Sequence, residues 1–215
     1  MTIFQSMFDV NTTFFVFLEY PISYLEFIGT IFYLGSVWLI AQKNMLTWPI
    51  GIISVILYGI LFYQIQLYSD ALEQFYYLGA SIYGWMYWNR TVEKKEESTG
   101  FRYSSSRHMT IWGIICFVFS ILLTIFMVKI HVIFPVIFPE PASFPFLDAF
   151  TTVMSFIAMY LMAQKRIESW IYWITVDVIG IVLYFVKDVK FISLLYVLLL
   201  IIAIRGLAKW NKEKE

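Results

Sequence analysis

The stretch "AQKNMLTW", residues 41–48, returns as "AQKRIESW" at residues 163–170, an offset of 122. The same offset, without a gap, aligns residues 25–89 with 147–211, and about fifteen of these 65 positions are identical. Repetition at a fixed offset indicates a duplicated structural unit. Further matched pairs are Leu25 and Leu147, Glu26 and Asp148, Thr30 and Thr152, Gly84 and Gly206, Trp88 and Trp210, and Asn89 and Asn211. The chain is therefore predicted to contain two copies of one unit.

Composition indicates that both copies lie in a membrane. Hydrophobic residues make up 60% of the chain and charged residues 14%, and the mean hydropathy is +0.75. One soluble core of this length could not bury so much apolar surface. Seven apolar stretches have lengths near the ~20 residues that span a bilayer as a helix. These predicted spans are 23–41, 48–66, 71–88, 110–130, 147–163, 170–187 and 191–208.

The spans and the repeat together predict an all-α integral membrane protein with a 3+1+3 plan. Two three-helix repeats, 23–88 and 147–210, are joined by a linker helix, 110–130. One extra span returns the chain to its starting side, so both repeats insert in the same orientation. Parallel repeats of this kind are a known transporter plan, with the substrate site near the midplane between them. The remaining segments are an N-terminal segment 1–22, a cytoplasmic loop 89–109 and a cytoplasmic tail 211–215.

Basic residues predict the orientation, because cytoplasmic loops retain lysine and arginine. With the N-terminus outside, twelve of the fifteen basic residues fall on the inner side and three on the outer side. We therefore predict an outer N-terminus and a cytoplasmic C-terminus. The first 22 residues are not expected to be a signal peptide, since they lack a basic start. The inner set is Lys43, Arg90, Lys94, Lys95, Arg102, Arg107, Lys165, Arg166, Arg205, Lys209, Lys212 and Lys214, and the outer set is Lys129, Lys187 and Lys190.

The sequence lacks the motifs of disulfide-linked, metal-binding and common catalytic sites. Cys116 is the single cysteine and lies within a span, so we interpret it as an apolar packing residue. His108 and His131 are too far apart in sequence to indicate a metal site. The chain shows no Gly-rich phosphate loop, HExxH or nucleophile elbow. We therefore predict no cofactor and no metal ion. The expected partners are the bilayer and a small-molecule substrate, without nucleic acid, and a homo-oligomer stays an alternative.

The sixth span carries a carboxylate between aromatic residues. In "ESWIYWITVDVIGIVLYF", residues 168–185, one helical face presents Trp170, Trp173 and Asp177, with Tyr184 two turns later. A carboxylate in lipid costs at least a few kcal/mol, so this face should point into the bundle or a wet cavity. Trp173 and Asp177 correspond to glycine and valine in the first repeat, which suggests an asymmetric ligand. The alternative is that Asp177 pairs with a neighbouring span and that the tryptophans form an interfacial belt.

The third span carries a second polar and aromatic face. Spacings of four, three, four and three residues place one set of side chains on the same helical face: Asp70, Gln74, Tyr77, Ser81 and Gly84. Interhelical hydrogen bonding is the structural alternative for these side chains, at roughly 1 kcal/mol or less per pair. Aromatic faces beside a carboxylate suit a flat cation, since a π face attracts positive charge by roughly 0.5–2 kcal/mol.

Glu26 and Asp148 occupy matched repeat positions, for which a shared structural role is the better interpretation. Trp48, Trp88 and Trp210 lie near span ends, where an interfacial belt is the first interpretation.

At these residues the chain resembles the PnuC family of bacterial nicotinamide riboside transporters. The resemblance covers both repeats. The motifs that carry it are "WPIGIISVILY" (48–58), "LYSDALEQFYYLGASIYGWMYW" (67–88), "WIYWITVDVIGIVLY" (170–184) and "SLLYVLLLIIAIRGLAKW" (193–210).

The resemblance implies a seven-helix carrier, similar in plan to the SWEET sugar transporters, that works by facilitated diffusion in the bacterial inner membrane. Intracellular phosphorylation would make uptake one-way. Trp170 and Trp173 would stack against the nicotinamide ring. The other implied substrate-binding residues are Asp177, Gln74, Tyr77, Asp70, Tyr184, Trp48 and Tyr196.

One residue departs from the family pattern. Glu73 stands where leucine often precedes the helix-three glutamine, and an extra carboxylate there could favour another cation. Thiamine is also a flat aromatic cation, so a thiamine carrier is the alternative within transport. An intramembrane enzyme would need a nucleophile–base pair or a metal cluster, and the sequence shows neither. A subunit of an ATP-driven importer is the third alternative, and uptake by the purified protein alone in liposomes separates it from an autonomous carrier.

Overall fold

A computed structural model of the protein describes residues 7–17, 19–65, 68–93, 100–135, 144–186 and 190–212, and these ranges contain seven long α-helices. The prediction of seven membrane helices is confirmed. The helices are α1 (Tyr24–Ala41), α2 (Thr47–Gln64), α3 (Tyr68–Glu93), α4 (Ser106–Ile133), α5 (Pro145–Ala163), α6 (Ser169–Val186) and α7 (Lys190–Lys212).

Six helices in the described ranges are long and apolar enough to cross a membrane, all except α3. At 1.5 Å per residue, the 26 residues of α3 still reach about 39 Å. Its lower hydropathy reflects polar residues along the helix, among them Asp70, Glu73 and Gln74. Ser81 and Gly84 on the predicted polar face are buried, whereas Phe75 and Met86 on the other side are exposed. The polar and aromatic face of α3 therefore points into the bundle.

The helices pack in a closed order that follows the repeat. Within repeat 1, α2 packs against α1 and α3, and within repeat 2, α6 packs against α5 and α7. Between the repeats, α3 packs against α5 and α7 packs against α1. The linker helix α4 packs on the outside of α5. The six helices therefore form a ring in the order α1–α2–α3–α5–α6–α7. A pseudo-twofold axis relates the two repeats in this ring, as expected for parallel repeats.

The two quoted stretches lie at one end of the bundle, here called the AQK end. Each first helix stops there in the same turn, since Lys43 has a φ of 62° and Lys165 a φ of 58°. Non-glycine residues adopt this left-handed conformation only in special turns. The shared turn shows that the sequence repeat extends to backbone conformation.

A β-hairpin in the N-terminal segment was not predicted. Strands β1 (Thr13–Phe17) and β2 (Tyr20–Ser23) pair antiparallel and lead into α1. Phe14 packs on Tyr24 at a ring-centroid distance of 4.5 Å, and the Gln64 amide accepts from Val10 N at 3.0 Å. All five β1 side chains are exposed, so the strand lacks the alternation that identifies a half-buried strand.

Several helices extend beyond the ends of the predicted spans. The predicted loop 89–109 is shorter, because α3 continues to Glu93 and α4 begins at Ser106. The predicted tail begins within α7, which ends at Lys212. Hydropathy marks the membrane-embedded part of a helix, whereas caps mark its ends, and Ser105 caps α4 by accepting from His108 N. The predicted span ends at 66 and 187 lie outside the described residues, as do Lys94, Lys95, Lys187 and Lys214.

Candidate functional site

A buried carboxylate lies halfway along α6. Asp177 is 3% exposed, whereas Val178 beside it is 47% exposed, so the predicted polar face of α6 points into the bundle. Asp177 interacts electrostatically with Tyr33 of α1 and Tyr196 of α7. In the described part of the chain, no lysine, arginine or histidine pairs with this carboxylate. The carboxylate therefore lies inside the bundle without a cationic partner from these residues.

Tyrosines from three helices lie in the neighbourhood of this carboxylate. Tyr77 of α3 interacts electrostatically with both Tyr33 and Tyr196. The Tyr77 hydroxyl also interacts with the side chain of Ser155 of α5. Residues from α1, α3, α5, α6 and α7 thus converge, which places the group at the junction of the two repeats.

We call Asp177, Tyr33, Tyr77, Ser155 and Tyr196 the central group, and the repeat relates two of its members. Tyr33 and Ser155 occupy equivalent positions at the 122-residue offset, and Gln74 is equivalent to Tyr196. A group built from equivalent positions of two parallel repeats lies near their pseudo-twofold axis. The residue types differ within each pair, so the site is asymmetric although its frame is symmetric.

Tyr184 extends the group away from the AQK end. Its ring stacks on Tyr196 at a centroid distance of 5.4 Å and an interplanar angle of 18°. It interacts electrostatically with Asp70, Glu73 and Asp148, which lie toward the opposite end. Thr152 Oγ1 donates to Glu73 Oε1 at 3.4 Å, a contact between the repeats. Asp70 thus lies farther from the AQK end than Asp177 does.

Gln74 and Tyr196 both pack against glycines of the neighbouring second helix. The Gln74 side chain lies against Gly59 and its amide donates to the Asp70 carbonyl of its own helix at 3.3 Å. A Cβ added at Gly180 would lie 2.6 Å from the ring of Tyr196. The position of the Tyr196 ring therefore depends on the absence of a side chain at Gly180.

Trp48 and Trp170 lie apart from the central group, in an aromatic cluster at the AQK end. Trp170 is 1% exposed and lies against Gly206, where a Cβ would be 2.6 Å from its ring. Trp48 lies against Gly84 in the same way. Both rings are covered by protein in this state, so their contact with a ligand stays a prediction.

The interfacial-belt interpretation of Trp48, Trp88 and Trp210 was wrong. These side chains are 2%, 3% and 0% exposed and pack in one buried cluster with Trp170. Their positions near span ends could not distinguish lipid-facing from protein-facing indoles. Trp88 and Trp210 bond to the other repeat, whereas Trp48 packs on Gly84 and Trp88 of its own repeat.

Trp173 connects this aromatic cluster to the middle of the bundle. Its partly buried ring packs against the cluster that contains Trp170 and against a second cluster that contains Val176 and Cys116. Trp173 lies one helical turn before Asp177 on α6. The interpretation of Cys116 as a packing residue is confirmed by its burial in the second cluster.

The sequence interpretation missed Tyr33 and Ser155. Each is a polar residue in the otherwise apolar first helix of its repeat, and the 122-residue offset pairs them. That pairing was the available signal. Two grooves, of about 240 and 260 Å³, lie beside α5 and α6 and contain none of the nine predicted site residues. We therefore place the candidate site at the central group around Asp177.

Comparisons with known proteins agree with this architecture. A family described as nicotinamide mononucleotide transporter matches residues 23–212. The nicotinamide riboside transporter PnuC of Escherichia coli (strain K12) is 32% identical over 212 residues, covering 91% of this chain and 89% of its own length. The riboflavin/roseoflavin transporter RibM of Streptomyces davaonensis is 26% identical and covers 94% of this chain and 91% of its own length.

A solved structure shares the fold. The crystal structure of the vitamin B3 transporter PnuC matches with a TM-score of 0.63 and 21% sequence identity. The match covers 88% of this chain and 81% of that chain.

Proposed function

The chain belongs to the nicotinamide mononucleotide transporter family, and on that basis we propose that it carries nicotinamide riboside across the bacterial inner membrane by facilitated diffusion. Substrate would pass between the two repeats and pause at the central group. Phosphorylation in the cytoplasm would trap it and make uptake one-way. The E. coli relative, named a nicotinamide riboside transporter, supports the choice of substrate.

The observation that carries the substrate class is the environment of Asp177. A buried carboxylate without a cationic partner among the described residues is unfavourable, because desolvation opposes its charge. A cationic ligand would supply the missing partner. The pyridinium ring of nicotinamide riboside is a flat cation, and nearby aromatic faces would each add roughly 0.5–2 kcal/mol of attraction.

We assign the remaining side chains by their positions relative to Asp177. Trp173 would present an aromatic face one turn away, and Tyr33, Tyr77 and Tyr196 would enclose the ring. The Gln74 amide and tyrosine hydroxyls would bind ribose hydroxyls, and Asp70 would lie near the mouth with Tyr184. Trp48 and Trp170 would join the site when the aromatic cluster opens.

A thiamine carrier is the alternative. Thiamine is also a flat aromatic cation, and Glu73 adds a carboxylate that interacts electrostatically with Tyr77 and Tyr184 of the site. Titration calorimetry with nicotinamide riboside, thiamine and riboflavin should show the tightest binding for nicotinamide riboside. Tighter binding of thiamine would assign the protein to the alternative, and tighter binding of neutral riboflavin would contradict the cation argument.

Transport by the purified protein in liposomes tests the mechanism. Counterflow of labelled nicotinamide riboside should proceed without ATP and should be unchanged when proton and sodium gradients are collapsed. Loss of counterflow on collapse of either gradient would contradict facilitated diffusion. A properly inserted protein that transports nothing alone would instead support a subunit of a larger importer.

We propose that the N-terminus lies outside and that the AQK end and the C-terminus are cytoplasmic. The basic residues Lys43, Lys165 and Lys209 at the AQK end support this orientation. In intact cells, a cysteine at Ser106 should resist a membrane-impermeant thiol reagent. A cysteine at the exposed Asn11 should react rapidly, and the reverse pattern would overturn the orientation.

A further inference from the structure

A short segment immediately before α4 lies across the AQK end. Residues 100–105, here called the strap, are anchored to repeat 2 by backbone hydrogen bonds. Arg102 N donates to the Lys165 carbonyl at 3.3 Å, and Ile167 N donates to the Arg102 carbonyl at 3.1 Å. Ser104 N donates to both carboxylate oxygens of Glu168 at 3.2 Å. The strap therefore follows the loop between α5 and α6.

Phe101 of the strap lies between equivalent residues of the two repeats. Its ring centroid is 5.6 Å from that of Trp88 and 4.3 Å from that of Trp210. The ammonium groups of Lys43 and Lys165 lie 4.3 and 5.7 Å from the same centroid. Trp88 pairs with Trp210, and Lys43 with Lys165, at the 122-residue offset. Phe101 therefore occupies the pseudo-twofold axis at this end of the bundle.

The two repeats are held together around Phe101. Trp88 Nε1 donates to the Ala163 carbonyl at 3.1 Å, and Trp210 Nε1 donates to the Ile40 carbonyl at 3.2 Å. Both bonds cross from the third helix of one repeat to the first helix of the other. A substrate that moves along the axis from the central group toward the AQK end would meet this closed aromatic cluster.

We propose that the Phe101 ring closes the transport path at the AQK end. We call Phe101 the plug, and the surrounding aromatic cluster the gate. This inference rests on the proposed transport path between the repeats. The hydrogen bonds of Arg102 and Ser104 hold the strap on repeat 2, whereas Phe101 meets repeat 1 through the ring of Trp88 and the ammonium group of Lys43. Opening separates repeat 1 from Phe101 and leaves the strap on repeat 2.

Thiol labelling tests the plug without any substrate, so its outcome is independent of the substrate proposal. In a Cys116→Ala background, a cysteine replaces the buried Ser155 of the central group. Inside-out vesicles then expose the AQK end, if it is cytoplasmic, to a membrane-impermeant maleimide. Phe101→Ala removes the ring and its cation–π contacts and should raise the labelling rate on the order of tenfold. Reagent added to right-side-out vesicles should show no such increase.

Matched variants separate the plug from general loosening. Phe101→Tyr keeps the ring and should label at the parent rate. Phe119→Ala makes the same truncation at a 56% exposed position of α4 and should also leave the rate unchanged. Phe101→Leu keeps an apolar side chain without a ring and should label faster than the parent. This variant replaces Phe101→Ala in the test if the alanine variant does not insert. Parent-like labelling in both ring-less variants, or an equal increase in Phe119→Ala, would overturn the proposal.

Discussion

The indole Nε1 of Trp88 donates a hydrogen bond to the carbonyl of Ala163 at 3.1 Å, joining the third helix of repeat 1 to the first helix of repeat 2. Trp210 makes the reciprocal bond to Ile40. The two carbonyls lie at the ends of α1 and α5, where a helix terminus leaves acceptors outside the intrahelical ladder. The Ile40 carbonyl also accepts from Lys43 N at 2.9 Å. The two repeats therefore brace each other at the AQK end.

Trp88→Phe and Trp210→Phe should each destabilise the protein. Phenylalanine keeps an aromatic ring but removes the donor, and loss of a buried hydrogen-bond partner costs about 1–3 kcal/mol. Thermal unfolding in detergent should show a lower midpoint for both variants. Trp85→Phe is the control, because Trp85 lies on α3 at 38% exposure. Equal midpoints for Trp85→Phe and Trp88→Phe would show that the cross-repeat bond contributes nothing.

Gly84→Ala and Gly206→Ala should be destabilising for a steric reason. A Cβ at either position overlaps the ring of Trp48 or Trp170, and overpacking typically costs about 1–3 kcal/mol. Gly79→Ala is the matched control on α3, because its Cβ would meet nothing within 4 Å. It should be neutral or stabilising, since alanine is the better helix former. Unfolding midpoints that fall equally in all three variants would contradict the packing account.

Much of the fold follows from sequence because the repeat and the apolar spans report directly on membrane insertion. The 122-residue offset predicted that Gly84 and Gly206, with Trp88 and Trp210, would have equivalent roles, and the structure gives them equivalent contacts. The β-hairpin was missed because its strand faces outward on every residue.

The site was only partly predictable. The spacing of Trp170, Trp173 and Asp177 on α6 correctly predicts that Asp177 points into the bundle, since a charged residue in a span avoids lipid. Spacing along one helix does not show which residues of other helices face it, so Tyr33 and Ser155 were missed. It also does not distinguish Trp170, covered by Gly206 and Trp210, from Trp173, which lies one turn nearer the central group.

Trp173→Ala should weaken binding of nicotinamide riboside by roughly tenfold or more, because a stacked cation contributes about 1 kcal/mol or more. Trp173→Phe keeps an aromatic face and should retain much of the affinity. Titration calorimetry on monodisperse protein measures both. Trp85→Ala, which truncates an exposed tryptophan, should bind as the parent does. Parent-like affinity in Trp173→Ala would remove this residue from the site.

Asp177 provides the most direct test of the account, because the proposed site depends on its charge. Asp177→Asn keeps the side-chain shape and removes the negative charge. Calorimetry should compare nicotinamide riboside with its reduced, uncharged analogue in the parent and in this variant. We expect the cationic ligand to lose on the order of tenfold or more in affinity and the neutral analogue to lose clearly less, since the Coulomb attraction acts on the cation alone. Equal losses for both ligands would show that Asp177 acts through structure or hydrogen bonding, and would contradict a site built around the charge of this carboxylate.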